Sequence, residues 1–148
     1  MHTFEPLDPD YEQRVRKSFG MQNFMVTIGA RLVEVMPGIV TIEMNHSEKL
    51  TQQHGYIHAG AITTLADNAC GYAAYSLMPP NTEVLTVEFK VNFLAPSRGD
   101  KFVAIGRVLK PGRTLSVCVA EVTAQQNYEK KLVFTMQATM MCVQNNFY

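Results

Sequence analysis

The sequence predicts an α+β fold in which a curved antiparallel sheet wraps around one long central helix. A long apolar segment of helical composition stands in the middle of the chain, two strand-like segments precede it, and four segments of alternating apolar and polar residues follow it. A helix that is apolar on nearly all sides must be covered on most of them, which one strongly curved sheet can do. The 148 residues are 47% apolar and contain no repeat or linker, so residues 1–148 are expected to form a single globular domain.

The first part of the chain predicts a short helix and a β-hairpin. Asp8–Phe19 is predicted to be helical, because Asp8 suits the N-cap and the proline after it suits the first helical position. Thr27–Val35 and Ile39–Met44 have the composition of strands. The Pro-Gly pair between these two segments is a turn signal and predicts that they pair.

The central helix is predicted over Ile57–Met78, where two consecutive prolines stop it. In the 33 residues from Leu50 to Thr82 the only formal charge is Asp67. A transmembrane helix has about this length. However, His58 and Asp67 interrupt the apolar run and amphipathic strands flank it, so we expect a buried helix of a water-soluble protein with no membrane association.

After the prolines the period of the pattern changes to two, which is typical of strands with one buried face. The strands are predicted at Leu85–Phe93, Phe102–Leu109, Thr114–Thr123 and Leu132–Val143. In the first of them the apolar residues expected on one face are Leu85, Val87, Phe89, Val91 and Phe93. Four consecutive strands favour an antiparallel meander.

Composition excludes several classes of function. Thirteen basic residues balance thirteen acidic ones, so no charge pattern favours nucleic-acid binding. The three cysteines, Cys70, Cys118 and Cys142, have no metal-ligand spacing, so we expect free thiols and no metal site. The N-terminus has no signal-peptide pattern, which predicts a cytoplasmic protein.

Asp67 is the first candidate for chemistry. An aspartate within an apolar helix is costly unless it is paired, hydrogen-bonded or neutral. One interpretation is a structural residue that bonds a neighbour and fixes packing. The other is a general base or nucleophile in a dry pocket, where burial raises the pKa of the carboxyl group.

The second candidate is the start of the helix, at His58, Ala59 and Gly60. His58 could simply cap the helix. The N–H groups of Ala59 and Gly60 would lack partners within the helix and lie at the positive end of its dipole. They are therefore suited to stabilise a developing oxyanion.

These two candidates cannot easily act on one atom within one chain. Nine residues of α-helix span about 13 Å and about 900° of rotation, which places His58 and Asp67 on nearly opposite faces. If both serve catalysis, each site must combine Asp67 of one chain with the helix start of another. The sequence therefore predicts a homodimer.

Two segments carry a family resemblance. The run Gln52–Gly60 followed by Leu65-Ala66-Asp67 resembles the signature of the PaaI-type hotdog thioesterases, which has the form N-x-x-G-x-x-H-G-G-x-x-x-x-L-x-D. The segment Thr86–Pro96 resembles the strand that follows the helix in that family. The resemblance covers about residues 20–143. It implies a hotdog fold and hydrolysis of acyl-CoA thioesters by homodimers, often paired into tetramers.

The resemblance also implies residue roles. Asp67 resembles the catalytic carboxylate, and the Ala59 amide resembles the oxyanion donor, with His58 in support. Gln52 stands where the family has asparagine, which helps to place the water or the thioester, and Thr86 stands where some members have serine or threonine on the strand near the aspartate. Two positions depart from the family: Ala59 replaces a glycine but keeps its N–H, and Gln52 is one methylene longer than asparagine.

The cationic residues Lys90, Lys110 and Arg113 are candidates for binding the CoA phosphates, and Arg113 follows a predicted tight turn. Each could instead be an ordinary surface charge. CoA would enter as part of the substrate, and no other cofactor is expected. Two alternatives remain open: a hydratase or dehydratase acting on acyl thioesters, and a module that binds acyl-CoA without catalysis.

Overall fold

A computed structural model describes residues 4–145 of the chain, so the outermost three residues at each end of the predicted domain lie outside the described part. Two short helices, α1 (Tyr11–Gly20) and α2 (Asn23–Ile28), come first and are followed by the strands β1 (Ala30–Met36) and β2 (Ile39–Asn45). A 3₁₀ turn at Glu48–Leu50 leads to the central helix α3 (Ala59–Tyr75). The remaining strands are β3 (Thr82–Phe93), β4 (Lys101–Lys110), β5 (Leu115–Gln126) and β6 (Glu129–Gln144).

The six strands form one antiparallel sheet in the order β1-β2-β4-β5-β6-β3, and α3 packs against all the strands of this sheet. The predicted fold class is confirmed. From Ala69 to Tyr75 every residue of α3 is buried, whereas His58, Ala59 and Gly60 at its start are exposed. No helix within residues 4–145 is long and apolar enough to cross a membrane.

The predicted meander is wrong in one strand. β4, β5 and β6 follow one another as expected, but β3 pairs with β6 and not with β4. The reason lies in residues 94–100, which connect β3 to β4. The N–H of Leu94 donates to the carbonyl oxygen of Val133 in β6, and the N–H of Asp100 donates to that of Gln125 in β5. This connection therefore crosses the ends of β6 and β5, and a tight hairpin turn between β3 and β4 does not form.

The alternation predicted for β3 is also wrong in the first half of the strand. A β-bulge between Thr86 and Glu88 inserts Val87 as an extra residue and shifts the faces of the strand at that point. Phe89 lies opposite the buried Ala138, as the alternation requires, but the residue opposite the buried Met140 is Thr86. Leu85 therefore faces away from the helix, and Thr86 faces toward it.

The N-terminal predictions need two corrections. Thr27 belongs to α2, because this helix continues to Ile28 and ends at Gly29, whose φ of 69° is left-handed and suits glycine. Asp8 does not cap α1. Its carboxylate accepts a hydrogen bond from the N–H of Asp10 at 2.9 Å and pairs with Arg14 at 3.2 Å, so it closes a turn before the helix.

Arg14 fastens α1 to the end of α3. Its guanidinium group donates to the carbonyl oxygens of Tyr75, Met78 and Pro79. Tyr75 is the last residue of α3 and the other two follow it, so none of these oxygens accepts a hydrogen bond from within the helix. It also lies 4.4 Å from the centre of the Tyr75 ring. The end of the central helix is thus capped by a side chain from another element.

The three cysteines are free thiols, as predicted. Cys70 and Cys118 are buried, and burial raises the pKa of Cys118 to about 12. Burial also raises the pKa of Cys70. A thiol that stays protonated at neutral pH is a weak nucleophile, so both residues serve as core side chains.

Candidate active site

Asp67 lies halfway along α3 and faces the bulged part of β3. The hydroxyl group of Thr86 donates a hydrogen bond to Asp67 Oδ1 at 2.9 Å. Among residues 4–145 no side chain or backbone group donates to Oδ2, so this oxygen is left for a ligand. Burial raises the pKa of Asp67, and the hydrogen bond from Thr86 lowers it in part.

A groove of about 350 Å³ opens beside Asp67, between α3, β3 and the end of α1. Its described lining consists of Ser18, Gln22, Asp67, Asn68, Gly71, Tyr72, Glu83, Val84, Leu85 and Thr86. We call this space the Asp67 groove. It contains the carboxylates of Asp67 and Glu83 and several hydrogen-bonding side chains, so its walls are largely polar near Asp67.

One polar network in this groove was not predicted. The Gln22 side-chain amide donates to Asn68 Oδ1 at 2.9 Å and to the Tyr72 hydroxyl at 2.6 Å. Ser18 Oγ lies 3.2 Å from the same hydroxyl. The network ties the N-terminal helices to the turn of α3 that follows Asp67. The polar Asn68 beside Asp67 was the one signal of it in the sequence.

His58 caps α3. Its Nδ1 accepts a hydrogen bond from the N–H of Gly60 at 2.9 Å, so that amide is already engaged. The N–H of Ala59 has no acceptor among residues 4–145. Ala59 is therefore the first residue of α3 with an N–H available to a ligand, and the helix dipole adds to its positive charge.

Gln52 shapes the loop before the helix. Its side-chain oxygen accepts a hydrogen bond from the N–H of His54, and its carbonyl oxygen accepts one from the N–H of Gly55 at 3.0 Å. Gly55 has a φ of 82°, a left-handed conformation that favours glycine. Gln52 and Ala59 share a second groove of about 520 Å³ with Phe93 and Leu94.

Within one chain the candidate residues thus form two groups. Asp67 and Thr86 line the Asp67 groove. Gln52 and Ala59 line the second groove, whose lining includes neither Asp67 nor Thr86. The separation agrees with the helical geometry, in which the eight residues from Ala59 to Asp67 span about 12 Å.

The three cations do not form one cluster. Arg113 lies in the turn between β4 and β5 and lines a cavity of about 390 Å³ with Leu77 and Met78, beyond the end of α3. Lys110 ends β4, next to the same turn. Lys90 lies opposite Gln137 on the face of the sheet that points away from α3, and donates to Asn92 Oδ1 at 2.7 Å. Only Arg113 and Lys110 are close together in the fold.

Comparison with known proteins identifies the family. The model of the thioesterase superfamily matches residues 54–131. The chain belongs to the thioesterase superfamily. It is 30% identical over 104 residues to human acyl-coenzyme A thioesterase 13, an alignment that covers 69% of this chain and 74% of the human protein.

Solved structures share the fold. A thioesterase family protein from Silicibacter pomeroyi superposes with a TM-score of 0.90 at 49% identity, covering 90% of this chain and 98% of that one. The PaaI protein of Escherichia coli superposes with a TM-score of 0.82 at 21% identity, covering 93% and 96%. The resemblance noted in the sequence is thus confirmed for the hotdog fold and for the family, and the protein is a thioester hydrolase.

Proposed function

We propose that this thioester hydrolase cleaves acyl-CoA and releases the free acid and CoA. The observation that carries the proposal is the carboxylate of Asp67, oriented by Thr86 and open to a groove at its other oxygen. The alignment with human acyl-coenzyme A thioesterase 13 supports CoA as the thiol. A half-buried, oriented carboxylate can serve such a hydrolysis as base or nucleophile.

The chemistry assigns a separate task to each group. The carboxylate of Asp67 attacks the thioester carbonyl carbon or takes a proton from the water that attacks it. The carbonyl oxygen becomes an oxyanion and is stabilised by the N–H of Ala59. Collapse of the tetrahedral intermediate breaks the carbon–sulfur bond, and the CoA thiolate leaves and takes up a proton. If water was the nucleophile, the free acid forms in this step. If Asp67 was the nucleophile, the product is a mixed anhydride of Asp67 and the acyl group, which a water molecule hydrolyses to the free acid and the restored carboxylate. His58 holds the helix start by accepting from Gly60, and Gln52 shapes the loop that carries it.

A shared site would join these groups across a dimer. β3 is the last strand of the sheet, and its free edge is a template for pairing with a second β3. Its apolar side chains are unusually exposed, with Val87 at 51% and Phe93 at 48%. A twofold dimer formed along this edge would cover them and would build two sites, each from Asp67 of one subunit and Ala59 of the other. Pairing of dimers into tetramers and a cytoplasmic location stay predictions.

Arg113 and Lys110 are proposed to bind the CoA phosphates. Both lie near the turn beyond the end of α3, and the last residue of this helix is about 12 Å from Asp67 along the helix axis. They can therefore reach a distant part of the substrate but not its carbonyl group. Lys90 lies on the face of the sheet that points away from α3, so it is not part of the surface formed by Arg113 and Lys110.

The test is release of free thiol from a panel of acyl-CoA substrates with aryl, short, medium and long acyl groups. Thiol release that is abolished in Asp67→Asn supports the proposal. Hydration of an enoyl-CoA without thiol release would instead indicate a hydratase. Tight binding of acyl-CoA without either reaction would indicate a binding module.

A further inference from the structure

The Asp67 groove contains a carboxylate that the proposed chemistry does not use. Glu83 lies at the start of β3 and lines the groove together with Asp67. Burial raises the pKa of Tyr75 to about 12, and the negative charge of Glu83 adds to this rise. Burial also raises the pKa of Tyr72, and Glu83 again contributes. Both tyrosines belong to α3, so Glu83 lies close enough to this helix for its charge to affect them.

Among residues 4–145 no cationic side chain lines the groove beside these two carboxylates. None of its ten described lining residues is lysine, arginine or histidine. Arg14 is the cation that stacks on Tyr75, but it pairs with Asp8 at 3.2 Å and donates to the carbonyl oxygens after α3. Among residues 4–145 the hydrogen-bond partners of the Glu83 carboxylate are uncharged: the Tyr75 hydroxyl and, at 3.4 Å, the side-chain amide of Asn145.

We propose that Glu83 is a specificity-determining residue, which makes the groove reject acyl groups that carry a carboxylate and admit uncharged ones. The inference rests on the proposed function and takes the acyl group to occupy the Asp67 groove when the thioester carbonyl lies at Asp67. An acyl carboxylate there would lose water, find no cationic partner and face two like charges. An uncharged acyl group of the same length meets none of these costs.

The experiment compares matched acyl-CoA pairs that differ in one carboxylate: hexanoyl-CoA with adipyl-CoA, and 4-methylbenzoyl-CoA with 4-carboxybenzoyl-CoA. The preference is the ratio of kcat/KM for the neutral ester to that for the carboxylate ester. We expect a preference of at least about tenfold in the wild-type protein, reduced about fivefold by Glu83→Gln, the size expected from one unit charge several ångströms away in a partly hydrated groove.

The matched control is Glu88→Gln. Glu88 is on the same strand but follows the bulge and bonds Thr139 on the outer face, so its neutralisation should leave the preference unchanged. Raising the salt concentration from about 20 to 300 mM should reduce the wild-type preference, because ions screen the repulsion. This second measurement tests the inference even if Glu83→Gln does not fold.

Two outcomes would overturn this inference and leave the proposed function intact. In the first, Glu83→Gln hydrolyses the neutral esters but its preference is unchanged. In the second, the preference of the wild-type protein is absent or does not depend on salt. Failure of the folded wild-type protein to hydrolyse any neutral ester, including a wider acyl-CoA panel, would overturn the proposed function and this inference with it.

Discussion

Asp67 is subject to two opposing influences, since burial raises its pKa and the hydrogen bond from Thr86 lowers it in part. A carboxylate that is ionised but poorly solvated is a stronger base than one in water. The same desolvation makes its charge a cost to the folded state. Replacement by asparagine therefore has one expected consequence for activity and another for stability.

For activity, Asp67→Asn is expected to lower kcat for acyl-CoA by at least about 10²-fold, because an amide can act neither as base nor as nucleophile at neutral pH. Asparagine has nearly the volume of aspartate, so the fold and substrate binding should be retained. Steady-state thiol release measures the first point, and binding of a non-hydrolysable acyl-CoA analogue measures the second. Near-wild-type turnover would make Asp67 a structural residue.

For stability, the raised pKa of Asp67 determines whether Asp67→Asn stabilises or destabilises the protein at each pH. Because the folded-state pKa of Asp67 lies above its ordinary value of 3.8, the cost of its charge is fully present above the folded-state pKa. It disappears as the pH falls through that pKa to the ordinary value. Asp67→Asn should thus raise Tm at pH 7–8, and the gain should shrink toward zero near pH 4. Thermal unfolding at constant protein concentration checks this, and a gain that does not vary with pH would contradict it.

Arg113 allows CoA binding to be tested separately from the catalytic step. Arg113→Ala should raise KM about fivefold with little change in kcat, because a remote phosphate contact acts equally on the ground and transition states. A pantetheine thioester, which lacks the nucleotide phosphates, should be hydrolysed equally well by both proteins. Lys90→Ala, on the opposite face of the sheet, is the matched control and should leave KM unchanged. Equal losses on both substrates would remove Arg113 from the CoA site.

Which residues the sequence could predict depends on the range of their interactions. Asp67 was recognisable because it is the only charge in a long apolar segment, and His58 because it stands at the helix start. The network of Gln22 was not recognisable, since its partners Asn68 and Tyr72 are 46 and 50 residues away. Such contacts follow from how α1 and α2 pack on α3, and no local pattern encodes that packing.

At the level of elements, the close approach of β4 to α3 limits what the core can accept. A Cβ atom added at Gly106 in β4 would lie 2.2 Å from the carbonyl carbon of Ala69 in α3. Backbone cannot rotate away as a side chain can, so Gly106→Ala should destabilise the protein by at least about 2 kcal/mol. Gly20→Ala is the control, because a Cβ there meets nothing within 4 Å. Denaturant unfolding measures both, and equal stabilities would contradict the predicted clash.

Local sequence patterns predicted the elements better than their arrangement. Apolar composition located α3, composition and a turn signal located the first two strands, and the strand period located the other four, although Thr27 belongs to a helix. The place of β3 beside β6 was missed, because it depends on a connection that crosses two strand ends. The bulge at Val87 was missed as well, and it is the feature that turns Thr86 toward Asp67. Pairing partners and bulges are set by contacts across the sheet, which alternation along one strand does not contain.

For the whole molecule, the separation of Asp67, halfway along α3, from Ala59, at its start, makes a shared site testable by complementation. Ala59→Pro deletes the N–H at the helix start, where proline is otherwise tolerated. His58 before it has φ −59° and ψ 139°, the conformation that a residue before proline prefers. Loss of an oxyanion donor should lower kcat by about 10²–10³-fold. Asp67→Asn and Ala59→Pro homodimers should therefore both be nearly inactive.

In a mixed dimer of these two variants, one site is doubly damaged and the other is intact, because Asp67 comes from the Ala59→Pro subunit and the Ala59 amide from the Asp67→Asn subunit. Random exchange at equal concentrations makes half of the dimers mixed, so activity should return to about one quarter of the wild-type value. Mixing Asp67→Asn with the double variant Asp67→Asn/Ala59→Pro is the control and should restore nothing. If mixed dimers, verified by differently tagged subunits, stayed as inactive as the parents, the two groups would not meet across subunits. Asp67 would then need an oxyanion donor from its own chain.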